Sequence, residues 1–257
     1  MNRLTYVLLR SVGLARPKPK TRFGRWTRRA ERVIGAVGLV YVALHVYPQP
    51  LFAHTVTAHD ITLYARHPIS PQATERLAQA RALVNRSELA VPHRPERVFL
   101  CDSPWLYRLF TPLKSDTFAV SILGTDHIFI AAPDLEADRA TSSLGGQRPL
   151  TGVIAHEITH GLIRHRLGQW RAIRLPEWVV EGYCDTIARS SSFPEAQGRR
   201  MLATGQTSPS ASFRYYLHRQ MVTHLIDDRH FTFNQLVNRA GEGGPVQAEM
   251  REAIRSQ

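Results

Sequence analysis

The stretch His156-Glu157-Ile158-Thr159-His160 restricts this chain more than any other. Residues four apart on an α-helix share a face. Both imidazoles therefore point the same way, at a spacing that lets two ring nitrogens close on one zinc ion. Glu157 stands beside the first histidine, where its carboxylate reaches a water at that ion. Around this polar face Val153, Ile154, Ile158, Leu162 and Ile163 supply apolar contacts, so the pattern predicts a buried helix over 152–167, with Gly168 as its stop. Five residues alone also arise by chance, and the motif needs a second element to carry weight.

That element is Leu175-Pro176-Glu177-Trp178-Val179-Val180-Glu181-Gly182-Tyr183-Cys184-Asp185. Pro176 suits the first position of a helix and Glu177 its positive end, which predicts a helix over 176–190. Glu181 and Asp185 again share a face. A catalytic zinc takes a third protein ligand and keeps a fourth position open. A metal-bound histidine donates its other ring N–H to a carboxylate. Glu181 fits the first requirement and Asp185 the second. Together the two motifs resemble those of the gluzincin metallopeptidases, the thermolysin-like group with a His-Glu-x-x-His helix and a Glu ligand on the next helix. The match is closest to small bacterial peptidase MA-like proteins, and it covers about residues 150–190.

The resemblance implies an α+β zincin domain: a mixed sheet with helices, then a helical half that bears the site. It implies Zn2+ on His156, His160 and Glu181, with Glu157 as general base and Asp185 orienting a histidine. It also implies a tyrosine opposite the metal as oxyanion donor, near the start of a later helix. Tyr215 and Tyr216 both stand at such a start, and Tyr216 fits the pattern slightly better. A sheet strand ahead of the active helix would line the cleft and pair with an extended peptide.

Charge is unevenly placed. Residues 1–32 hold ten Lys or Arg and one Glu, a net of +9, and the whole chain carries +12; the other 225 residues therefore carry +3. A near-neutral body argues against nucleic-acid binding. After the basic block, Val33 to Tyr47 is an apolar run that continues past Pro48 and Pro50 to Ala53. Its fifteen residues alone rise about 22 Å, short of a roughly 30 Å hydrocarbon core, whereas the stretch to Ala53 would span it. The segment reads as a transmembrane signal anchor over 33–53, with residues 1–32 as a cytoplasmic tail and the body on the extracytoplasmic side of the inner membrane. A cleaved signal ending near Val56-Thr57-Ala58 and a buried helix are the alternatives.

Through 54–141 the pattern is that of an α/β half bordering the cleft. Strands are expected at Asp60–Ala65, Val98–Leu100, Phe118–Leu123 and His127–Ala131, with helices at Pro71–Arg86 and Pro104–Phe110. Ser142–Leu150 reads as a linker into a helical half over 142–257. Ser212 is the expected cap of a helix reaching Asp227, and Thr232 with Gln235 forms a capping box. His54, His59, His67, His93 and His127 lack metal spacing with one another. Cys101 and Cys184 are the only cysteines; a disulfide between them stays open, although Cys184 suits a small buried position on the second helix. The sequence thus leads to a zinc-dependent peptidase acting on peptide or protein substrates. The alternative is a zinc-bearing scaffold that binds a peptide or envelope partner without cutting it.

Overall fold

A computed structural model describes residues 21–255. The chain divides into two units, residues 1–51 and 52–257. In the first, helix α1 runs Arg22–Val46 and a 3-10 turn follows at Gln49–Leu51. The helix stops ahead of Pro48, which has no N–H to give and disfavours helical backbone at the residue before it. The expected anchor over 33–53 is therefore not one continuous helix. Its apolar helical part, Val33 to Val46, rises only about 21 Å. Among the described residues no helix is long and apolar enough to cross a membrane. The expected tail over 1–32 lies largely outside the described residues.

The second unit begins with a mixed five-stranded sheet. Its strands are β1 His54–Ala58, β2 Ile61–Ala65, β3 Glu96–Cys101, β4 Ala119–Ser121 and β5 Ile128–Ala131, in the order β1-β2-β3-β5-β4. β2, β3 and β5 run parallel, and the outer strands are antiparallel to their neighbours. Side chains alternate between the faces of a strand. Ile61, Leu63, Val98, Leu100, Ile128 and Ile130 supply the aliphatic face and join the main core. Packed into that core are helix α2, Ala73–Val84, and helix α4, Leu150–Leu167. The opposite face is aromatic. Phe99 stacks on Tyr64 at 4.7 Å and on Phe129 at 5.0 Å, and Phe129 stacks on Phe110 of helix α3, Pro104–Phe110, at 4.1 Å. The sheet is thus covered on both faces, as parallel strands require.

The expected linker is instead structured. β6 Pro133–Asp134, β7 Arg139–Thr141 and β8 Gln147–Pro149 form a small antiparallel sheet that leads directly into α4. Its first turn caps that helix from outside. Asp138 accepts from the backbone N–H of Thr151 at 2.8 Å and from the Thr151 hydroxyl at 2.9 Å. A carboxylate here satisfies donors that the helix leaves open and suits its positive end.

Beyond α4 the chain is helical: α5 Gln169–Ile173, α6 Glu177–Ala188, α7 Glu195–Ala203, α8 Ala211–Thr223, α9 Phe233–Asn238 and α10 Gly243–Arg255. Ser210, not Ser212, caps α8, accepting from the Phe213 N–H at 3.2 Å. The expected capping box of Thr232 and Gln235 is present. α8 crosses α6 at Gly182, where a Cβ would stand 2.5 Å from the His218 carbonyl oxygen. Only glycine admits that approach, and nearer the start of α8 Arg214 pairs with Glu177 of α6 at 3.1 Å.

Candidate metal centre

α4 is buried along most of its length, and its His156 and His160 meet Glu181 and Asp185 of α6. The His156 and His160 Nε2 atoms lie 3.1 Å apart. One carboxylate oxygen of Glu181 stands 3.3 Å from the first, and the other 3.6 Å from the second. Ligand bonds of about 2.0–2.1 Å in a tetrahedron place neighbouring donor atoms roughly 3.3 Å apart. The three side chains thus already stand at the separations a zinc ion requires. Glu181 keeps 26% of its side chain exposed, against 9% and 16% for the histidines, so the open side of the tripod faces solvent.

A second donor set competes. His156, His160 and Cys184 also bring one ligand atom each within 4.8 Å of one another. Cys184 lies about one helical turn beyond Glu181 on α6 and is fully buried. Thiolate is the ligating form. Burial pushes the Cys184 thiol well above its usual range, and the Glu181 and Asp185 carboxylates push it further. The shorter separations and the available negative charge both favour Glu181 as third donor, with Cys184 as a packing residue beside the site.

Asp185 accepts from His156 Nδ1 at 2.7 Å. That bond holds a proton on Nδ1, so Nε2 is the ring nitrogen turned toward His160 and Glu181 and the one that would ligate once its own proton is lost. Burial alone would raise Asp185, but Arg148 and His156 outweigh it and hold the carboxyl below its usual range. Burial likewise opposes charge on His156; Asp185 and Glu181 overcome it and favour the imidazolium in the metal-free protein. Burial dominates at His160 and lowers it. Glu157 is buried, and its charge is felt at His160 and at Tyr107 of α3.

Tyr216 does not reach the centre. It is fully buried between α7 and α8, its hydroxyl 3.3 Å from a Glu195 carboxylate oxygen. Its ring presses on Gly198, where a Cβ would lie 2.3 Å away, and packs with Phe193 and Phe213. The expectation for Tyr216 is thereby corrected: it is a core aromatic of the helical half. Its neighbour Tyr215 is half-buried on another side of α8, and Glu181 and Glu177 reinforce the burial that raises its hydroxyl. Tyr215 also meets the His218 ring edge-on at 6.3 Å, and His218 Nδ1 is buried without a hydrogen-bond partner. The sequence reading left out His218 and Arg148. Neither sits at a recognisable spacing from the motifs, and only the crossing of α6 with α8 and the hairpin before α4 bring them in. No family model, no curated protein and no solved structure matches the chain.

Proposed function

We propose that the chain is a zinc-dependent peptidase that hydrolyses peptide bonds of a protein or peptide substrate. The observation that carries the reading is the spacing of the His156 and His160 Nε2 atoms and the Glu181 carboxylate, 3.1 to 3.6 Å apart and open on one side. A zinc ion held there supplies Lewis-acid polarisation of the scissile carbonyl and lowers the pKa of an adjacent water. Glu157, one residue along the helix from His156, takes the proton of the attacking water and passes it to the leaving amine. Asp185 keeps His156 in the ligating tautomer. Tyr215 replaces Tyr216 as the hydroxyl donor to the oxyanion. The gluzincin resemblance of the two motifs supports the same reading, as does β4, an edge strand near α4 with a free side for an extended chain.

The test is Glu157→Gln in the full chain. This variant keeps shape and metal and removes the base. Zinc content stays at about one per chain while hydrolysis of an unfolded-protein or peptide library falls by about 10²–10⁴. Equal cleavage by variant and wild type defeats the mechanism. A wild type that holds zinc and a peptide partner but cuts nothing establishes the scaffold instead.

A further inference from the structure

Arg148 lies two residues before α4, and its side chain is only 10% exposed. One terminal nitrogen donates to Asp185 Oδ1 at 2.7 Å, to the Ser190 hydroxyl at 2.8 Å and to the Ser190 carbonyl at 3.1 Å. The guanidinium also stands 5.9 Å over the Phe118 ring. Several local features are shaped to admit it. Arg189 ends α6 in the left-handed region at φ 49°, which turns Ser190 back toward the start of α4. Gly152 then leaves room for Ser190, since a Cβ there would lie 2.6 Å from the Ser190 hydroxyl.

A buried guanidinium is costly unless its partners repay the lost hydration. Nothing in the peptidase scheme requires a cation at this place. What the cation touches is informative: the Oδ1 atom it contacts is the one that accepts from His156 Nδ1. That oxygen is therefore pinned from two sides, by the hairpin before α4 and by the histidine on it.

We infer that Arg148 is a positioning residue for the metal: by clamping Asp185, it fixes the orientation and tautomer in which His156 offers Nε2. The inference rests on the zinc reading above but not on hydrolysis. Without Arg148, Asp185 has one anchor fewer and the His156 ring gains freedom, so the tripod opens. Partners that orient metal ligands typically carry about 10- to 100-fold in metal affinity.

The experiment is a double-mutant cycle on zinc affinity. Full-length wild type, Arg148→Met, Asp185→Asn and the double variant are titrated against a chromophoric chelator, with thermal melts of the metal-free forms as a folding control. Arg148→Met weakens zinc by about 10- to 100-fold, and the double variant is little weaker than Asp185→Asn, because both changes remove one device. Cobalt(II) in place of zinc gives a second readout, since its visible bands report ligand geometry and shift in Arg148→Met. If that variant does not fold, Arg148→Lys serves: it keeps the charge, loses the forked donor and binds zinc between wild type and Asp185→Asn. Wild-type affinity with unshifted cobalt bands in the folded Arg148 variant overturns the inference, as do losses that multiply in the double variant. Wild type that binds zinc and cuts nothing defeats only the peptidase reading. Wild type that binds no zinc overturns both.

Discussion

Adjacent residues on a helix point about 100° apart, and α8 separates its two tyrosines by that rule. Tyr216 goes into the core beside Gly198, and Tyr215 stays half-buried, its hydroxyl feeling the Glu181 and Glu177 charges. Tyr215→Phe therefore lowers kcat with zinc content unchanged, by up to the 10²–10³ typical of one oxyanion donor. Tyr216→Phe loses two long hydrogen-bond contacts to Glu195, at 3.3 and 3.5 Å, leaves kcat near wild type and slightly lowers Tm. Steady-state kinetics with a zinc assay separates them; the opposite ranking would restore Tyr216 to the site. Sequence named His156, Glu157, His160 and Glu181 from local helical spacing and the motif on the following helix, and the fold brings His156, His160 and Glu181 within 3.1 to 3.6 Å of one another. Asp185 followed from the same periodicity. Choosing between two neighbouring tyrosines needed the angle at which α8 crosses α6, which no local pattern carries.

The strands and helices of the sheet half were legible where a two- or 3.6-residue period is clean, as in Ile61–Ala65, Ala73–Val84 and Pro104–Phe110. The hairpins at 133–149 were not. Their strands are two or three residues long, too short to show a period, and they are held by distant partners such as Asp138 on Thr151. The tie between sheet and metal helix was equally hidden. Asp126, in the turn between β4 and β5, accepts from Arg164 of α4 at 2.8 Å and from Arg94 at 2.7 Å, and Arg94 donates to Glu96 of β3 at 2.6 Å. Burial raises the Glu96 carboxyl from 4.5 to about 7, although Arg94 opposes the shift. Between those values the folded state holds a proton that the unfolded chain has released, so this residue makes stability fall as pH rises, with the loss complete above about 7. Urea unfolding of wild type and Glu96→Gln checks it. Relative to the variant, wild type weakens from pH 5 to pH 7 and no further at pH 8; a gap independent of pH would show that Glu96 is charged throughout.

At the scale of the whole molecule, the basic block and the apolar segment that follows still bear on location. Val33, Ile34, Val37, Val40 and Val46 are each more than half exposed on α1. We propose that this segment directs the body out of the cytoplasm, with residues 1–32, at +9, held inside. A reporter active only outside the cytoplasm, fused after Gln257, is then active, and activity of a cytoplasm-only reporter at the same point overturns the placement. The two cysteines bear on the same journey. Cys101 lies buried in β3 and Cys184 buried in α6, and both are free thiols. Burial lifts Cys101 to about 12 and Cys184 well above its usual range, which withholds the thiolate that oxidants attack. Neither thiol is paired, so the fold is reached without a covalent cross-link. With both thiols free and buried, the covalent structure is the same on either side of a membrane, whatever the redox poise there.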